Sequence, residues 1–538
     1  MNTDRAITGD DRRGLGDAWL WQRARLTPSA AALHFGGEVH DRATCDASCR
    51  FDYAALAREA EAVALRLLWL GVARGDRVAA CMASHPRLVA LAHAAQKLGA
   101  VLVPLSTRLG AAELGTLLAH AEPRLLLLDA TAPLRGEPGG LARGAVCLDV
   151  HDALDRVAIA KSAALPSHID AQAAWMILYT SGTTALPKGV VLTSANHFAA
   201  ATASRRRLGH GAGDVWLATL PLYHVGGLAI LARAVLEGSS VDLEDGFDIE
   251  RVRSAIEDGP ATMISLVPTM LARVLDSLRG RAHARLRCLL IGGAALSPAL
   301  ARKALEAGLP IAASYGLTEA CSQLCTTEPG SAGTVDGSVG IPLPGVEVCI
   351  DSPAQDGVGE LLARGANVTR GYFRNEEADA AAFGAVAADS HGDANPRKDP
   401  HATSRPRWLH TGDLASIDAR GRVHIACRRT DLIVSGGENV APAQVEAVLE
   451  EHVAVRECAV FGIDDCEWGQ RVVALIALRG GREHAVTTSA EELTAWCRAR
   501  LAAYKTPRLI RFVSALPRNA SGKIDRRRLA QAWAEAAD

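Results

Sequence analysis

Apolar positions along the first three hundred residues recur with two alternating periods. FDYAALAREAEAVALRLLWLGV carries helical spacing, and RVAACMA, a few residues later, is strand-like. PRLVALAHAAQKLGAVLVPL runs from helical spacing into a strand, while ATMISLVPTMLARVLDSL and LRCLLIGGAALSPALARKALEAG repeat strand then helix. This alternation predicts an α/β body in which α/β layers cover mostly parallel sheets. From Asp431 the pattern changes. A helix (APAQVEAVLEEH), two strands (RECAVFGI, RVVALIALRG), a further helix (SAEELTAWCRARL) and a basic end predict a small α+β C-terminal domain. The division expected is a body over residues 1–428 and a second domain over 431–538. Residues 385–407, AVAADSHGDANPRKDPHATSRPR, have no periodicity and read as a surface insertion. Its His391 and His401 read as solvated loop residues.

Composition narrows the class. A chain of 538 residues is too long for one core, and its formal net charge of −2 offers no field to attract nucleic acid. The RRR runs at 205–207 and 526–528 read as solvated faces. No uninterrupted apolar run is long enough to span a bilayer, and the polar start, MNTDRAITGDDRRG, lacks a signal-peptide core. A cytoplasmic protein is expected, with its twelve cysteines reduced and nearly all acting as small buried apolar residues. Association with further copies of itself is left open.

The chemistry begins at YTSGTTALPKGVVLT. An apolar strand leads into a loop of glycines and hydroxyls with one lysine, and a second strand follows. Gly182 and Gly189 permit close backbone approach, Ser181, Thr183 and Thr184 offer hydroxyls, and Lys188 supplies a cation. Together these predict a phosphate-binding turn. Lys188 follows Pro187 and precedes Gly189, so the Walker spacing of P-loop NTPases is absent.

The stretch TSGTTALPKG resembles the signature of the adenylate-forming superfamily of acyl-CoA synthetases, peptide-synthetase adenylation domains and luciferases. Further motifs follow in that family's order from about Phe51 to Leu529: PLYHVGG, LLIGGAAL, SYGLTEA, TGD, CRRTDLIVSGGENV and PRNASGKIDRRRL. The resemblance implies ATP and Mg²⁺ as ligands, with coenzyme A and a small carboxylic acid as co-substrates. It implies that Thr180, Ser181, Gly182, Thr183, Thr184 and Lys188 hold phosphate, and that Gly292, Gly293 and Tyr315 lie against adenine. Thr318 would meet the α-phosphate, and Glu319 would hold the metal. Asp413 would accept the ribose hydroxyls, with Arg428 contacting the nucleotide. His224 and Gly316 would lie on the acid side, and Lys523 would bridge the acid and the α-phosphate. Thr430 and Asp431 would form the hinge of a mobile C-terminal domain, and Gly436 and Gly437 would face the thiol. Cys427, where the family usually has glycine, and Thr430, where it often has Asp or Lys, depart from the pattern.

Within the superfamily the chain is most similar to the 2-succinylbenzoate:CoA ligase group of menaquinone biosynthesis. STRLGAAELGTLLAHAEPRLLL, LPLYHVGGLAILARAVLEG, SYGLTEACSQLCT and GSVGIPLPGVEV carry that likeness. Arg233 gives it a physical basis. It interrupts an otherwise apolar helix nine positions after His224, and a buried guanidinium needs a counter-charge. The second carboxylate of a diacid would supply one, whereas a surface position or an internal Asp or Glu would make the arginine merely structural. An aryl- or fatty-acid:CoA ligase, a stand-alone amino-acid adenylation domain and a non-catalytic nucleotide binder are the alternatives. Retention of Lys523 argues against a mere binder.

Overall fold

The computed structural model describes residues 16–36, 49–133, 145–150, 154, 164–180, 188–383, 407–428, 431–435, 438–465, 468–479, 488–501, 503–519 and 522–536. The insertion at 385–407 apart from Arg407, the phosphate turn from Ser181 to Pro187, Thr430, and Gly436 with Gly437 therefore lie outside the described residues.

Two large sheets build the first part of the chain. In one of six strands the order is Val146–Asp149, Leu125–Leu128, Arg77–Cys81, Val101–Leu105, Ala174–Thr180 and Lys188–Thr193. The first five are parallel, and the last folds back antiparallel on its predecessor, pairing Thr180 with Lys188. Thr180 and Lys188, which flank the candidate phosphate stretch, thus face each other across the antiparallel pair at the sheet's edge. In the other, of nine strands, Ile311–Tyr315, Cys288–Ile291, Met263–Leu266, Val215–Ala218, Ser240–Leu243 and Ala31–Phe35 run parallel in that order, with antiparallel strands at both edges. Strands such as CLLI and LLLL are buried along their whole length, as parallel strands covered on both faces must be.

Helices close the sheets as the apolar spacing requires. Tyr53–Trp69 is capped by Asp52, whose carboxylate accepts from Ala55 N–H at 2.6 Å. Pro86–Leu98 begins on proline and ends on Gly99 at φ 69°, the expected asymmetry of helix ends. A four-stranded antiparallel sheet, Val346–Asp351, Gly359–Gly365, Leu409–Ile417 and Val423–Arg428, adds a layer that the alternating pattern does not announce. The last sheet has five strands. Val455–Asp465 and Gly469–Leu478 form its long antiparallel centre, Leu509–Phe512 adds in parallel, and the helices Pro442–Glu450 and Ala490–Arg498 pack on its core.

The cysteines depart from expectation at one place. Cys49, at the start of an edge strand, is disulfide-bonded, whereas the nine other described cysteines are free. No helix among the described residues is long and apolar enough to cross a membrane.

Candidate active site

Ligands of open α/β sheets bind beyond the carboxyl ends of parallel strands, and most of the marked residues gather there. Gly292 and Gly293 follow directly on Cys288–Ile291, and Tyr315 ends the neighbouring strand Ile311–Tyr315. A Cβ at Gly292 would stand 3.1 Å from the Ser314 carbonyl oxygen, and Gly293 has φ +80°, so both positions suit glycine and leave bare backbone at the strand ends.

Lys523 arrives from the C-terminal domain. A Cβ on Gly293 would lie 3.4 Å from both Cε and Nζ of Lys523. Its loop is held by Asn519, whose N–H donates to the Lys523 carbonyl at 2.8 Å and whose Oδ1 accepts from Lys523 N–H at 3.1 Å. Burial, reinforced by the nearby Arg428 guanidinium, draws the ammonium below its ordinary value.

His224 shares this region. Burial, then the charges of Lys523 and Arg108, pull its imidazole down to about 4, so it is neutral at physiological pH. Its Nε2 is buried without a partner among the described residues. His224 is also the N-cap of the helix Val225–Glu237. The second of the paired glycines after it has a steric reason, since a Cβ on Gly227 would stand 2.5 Å from the Pro221 carbonyl oxygen.

Antiparallel register opposes Asp413 to Arg428. Asp413 Oδ1 lies 3.2 Å from Arg428 Nε, and its Oδ2 accepts from the Tyr315 hydroxyl at 2.6 Å. Burial raises the Asp413 carboxyl, while the Arg428 charge and the Tyr315 bond oppose the rise. Tyr315, Asp413 and Arg428 thus form a polar chain from the strand end to the threshold of the C-terminal domain. Asp431, the next described residue, pairs with Arg526 at 3.4 Å, and Arg526 also grips Glu446.

Thr318 and Glu319 open a short 3₁₀ turn after Gly316. Gly316 is pressed against the returning chain, for a Cβ there would stand 1.5 Å from the Ser322 carbonyl oxygen. Glu319 accepts from the Tyr372 hydroxyl through Oε1 at 2.9 Å, and its other oxygen is unpartnered among the described residues. One open carboxylate oxygen fits Mg²⁺, which is content with few carboxylates and fills its octahedron with water and phosphate oxygens. No group of three or more His, Cys, Asp or Glu suited to a tighter metal site occurs among the described residues.

Arg233 does not reach the surface, and among the described residues it finds no acid. It is 1% exposed, its Nη2 donates to Gln323 Oε1 at 2.8 Å, and its guanidinium carbon sits 5.3 Å from the Trp216 ring centroid. Nε has no partner among the described residues. Burial lowers it to about 10, which still leaves it charged at neutral pH. Gln323 and Tyr372 join the assembly without a sequence signal. Each is an ordinary residue in its local stretch, CSQLC and RGYF, and gains meaning only from what folds beside it.

The AMP-binding enzyme family matches residues 20–373, and its C-terminal domain matches 444–523. A 2-succinylbenzoate–CoA ligase of Bacillus pumilus (strain SAFR-032) is 36% identical over 522 residues, covering 95% of this chain and 97% of that protein. The structure of o-succinylbenzoate CoA synthetase (MenE) from Bacillus subtilis with the acyl-adenylate intermediate OSB-AMP superposes with TM-score 0.82 at 34% identity, over 95% of this chain and 98% of that one. The same enzyme with ATP and a magnesium ion gives 0.81 at 34%, over 95% and 99%. The chain therefore belongs to the AMP-binding enzymes, the adenylate-forming superfamily, and within it to the AMP-forming acid–CoA ligases.

Proposed function

We propose that the protein converts 2-succinylbenzoate to 2-succinylbenzoyl-CoA, as a cytoplasmic ligase serving menaquinone biosynthesis. The observation that carries the choice of acid is Arg233, a fully buried cation with no carboxylate partner among the described residues. An uncompensated buried charge is strongly unfavourable. The aromatic carboxylate of 2-succinylbenzoate would compensate it while the succinyl carboxylate is activated. Arg233 lies on the helix that His224 caps, and Gln323 lies on the chain that follows Thr318 and Glu319. Arginine side chains on a helix lean toward its N-terminus, here the end that carries His224.

In the first step an oxygen of the succinyl carboxylate attacks the α-phosphorus of ATP, the bond to the bridging oxygen breaks, and pyrophosphate leaves. Lys523 would neutralise the anions brought together, and Thr180, Ser181, Gly182, Thr183, Thr184 and Lys188 would hold the departing phosphates. Bound at Glu319, Mg²⁺ would supply further charge neutralisation on the phosphate oxygens. Tyr315, with Gly292 and Gly293, would seat adenine. Asp413 would exchange its Tyr315 and Arg428 contacts for the ribose hydroxyls, and Thr318 would meet the α-phosphate. In the second step the thiol of coenzyme A loses its proton and its sulfur attacks the acyl carbonyl, expelling AMP. Lys523 must first withdraw, and rotation of residues 431–538 about Thr430 and Asp431 would bring Gly436 and Gly437 to the thiol.

The test is thioester formation with ATP, Mg²⁺ and coenzyme A, comparing 2-succinylbenzoate with benzoate, 4-phenylbutyrate and a medium-chain fatty acid. Wild type should prefer 2-succinylbenzoate, and Arg233→Ala should reduce kcat/KM for it on the order of 100-fold, the usual loss when one partner of a buried charge pair is removed. Preference for a monoacid that the variant leaves intact would keep the ligase chemistry and discard this acid.

A further inference from the structure

The phosphate hairpin and the Glu319 turn belong to different elements, yet one residue touches both. Residues 369–373 run beside the strand Lys188–Thr193. Phe373 N–H donates to the Gly189 carbonyl at 2.7 Å, Val191 N–H donates to the Gly371 carbonyl at 3.2 Å, and Val190 and Tyr372 form an antiparallel bridge. Thr369 N–H donates to the Glu319 carbonyl at 2.7 Å, so the same segment also grips the metal turn. Tyr372 stands at the junction. Its hydroxyl donates to Glu319 Oε1 at 2.9 Å, and its ring lies 5.3 Å from Lys188 Nζ, within cation–π range.

We propose that Tyr372 is a positioning residue of the adenylation site, aiming the Glu319 carboxylate at the metal and seating Lys188 for the phosphates. The tyrosine is itself fixed. Its N–H donates to Asp379 Oδ1 at 2.6 Å, and a Cβ on the preceding Gly371 would strike that carboxylate at 2.5 Å. Only 8% of Tyr372 is exposed, and its ring packs against Phe383. One Glu319 oxygen is thereby occupied and the carboxylate plane fixed, while the second oxygen stays open. That is how an outer partner orients a metal ligand, and loss of such partners typically weakens metal affinity 10- to 100-fold.

The inference rests on the metal role proposed for Glu319, and the experiment separates the two. ATP binding is measured by calorimetry with Mn²⁺ or with EDTA, without acid substrate, for wild type, Tyr372→Phe, Tyr372→Leu, Glu319→Gln and the Tyr372→Phe/Glu319→Gln double variant. Tyr372→Phe keeps the ring and loses only the donor. It should bind ATP with Mn²⁺ about tenfold more weakly, leave metal-free ATP affinity within about twofold, and keep its melting temperature. In the Glu319→Gln background the same change should have no further effect on the Mn²⁺ complex. Tyr372→Leu should also weaken metal-free ATP, because Lys188 loses its seat. Unchanged Mn²⁺–ATP affinity in Tyr372→Phe, with Glu319→Gln impaired, would overturn the positioning role alone. An equal loss in both backgrounds would show that the tyrosine does not act through Glu319 and would overturn it too. Unchanged affinity in Glu319→Gln would overturn the metal role and this proposal together.

Discussion

Lys523 shows how much one side chain's surroundings decide. In the sequence it is one cation of a basic tail, and in the fold it lies against Gly293 near His224, drawn below its ordinary value by burial and by Arg428. Lys523→Ala should lower acyl-adenylate formation by 10²–10³-fold or more, read as pyrophosphate release, while thioester formation from a supplied acyl-adenylate persists. Pyrophosphate release at the wild-type rate would remove Lys523 from the mechanism. The shift also sets a pH dependence. A lowered value means that the ammonium is lost earlier as pH rises, so adenylation should fall on the alkaline side with a midpoint below 10.5. In Lys523→Arg the group stays charged, and any activity that remains should lack this limb. His224, already neutral above about 4, should contribute no limb between pH 5 and 8. The motifs made Lys523, Asp413 and Glu319 legible because each lies in a run whose turn chemistry recurs with its function. Tyr372 and Gln323 were not legible, since their partners Glu319 and Arg233 are 53 and 90 residues away in the chain.

The helix Val225–Glu237 carries the same lesson at the next scale. Its apolar run after paired glycines announced a buried helix, but what fixes its far end comes from the first helix, Trp19–Leu26, whose stretch of chain gave no functional signal. Arg23, fully buried, donates from Nε to the Val235 carbonyl at 3.0 Å and from Nη2 to the Leu236 carbonyl at 2.5 Å. The Tyr53 hydroxyl lies within hydrogen-bond distance of the Ala234 and Ser239 carbonyls, at 2.9 and 2.6 Å. The Arg23 bonds satisfy the Val235 and Leu236 carbonyls, which the helix end leaves open. Gly238 closes the helix at φ +78°, and a Cβ there would approach Arg23 Nη1 to 2.9 Å. Gly238→Ala should therefore destabilise the fold by about 1–2 kcal/mol from the left-handed backbone alone, seen as a lower melting temperature. An unchanged melting temperature would mean that the helix end relaxes out of its left-handed conformation at no cost, whereas a loss well above 2 kcal/mol would add the clash with Arg23.

Across the whole molecule, burial of ionisable groups makes stability depend on pH. His93 and His224 are pulled to about 4, and His197 and His210 to about 3, each chiefly by burial, from an ordinary 6.5. The unfolded chain takes up these protons first, so their contribution is complete above 6.5 and is lost as pH falls toward 3–4. Each pKa unit is worth about 1.4 kcal/mol. Urea midpoints should accordingly drop between pH 6.5 and 4.5, and a flat profile would contradict the burial of these rings. The contact of the C-terminal domain with the body contributes a group of its own. Glu450, pushed up to about 7 chiefly by burial and hydrogen-bonded to Ser297 at the start of the helix Pro298–Glu306, acts in the opposite sense to the four histidines, its contribution being full below an ordinary 4.5 and lost as pH rises through 7. By itself the sequence determined the α/β body, the small α+β domain and the family's chemistry, because hydrophobic period and turn composition are local properties. It did not announce the antiparallel sheet from Val346 to Arg428, the disulfide at Cys49 or the clamp on Val225–Glu237. Above all, only the tertiary structure decided that Arg233 is buried with no acid beside it among the described residues and that Tyr372 joins Lys188 to Glu319. Those facts depend on which distant segments pack together, and packing leaves no periodic mark on the chain.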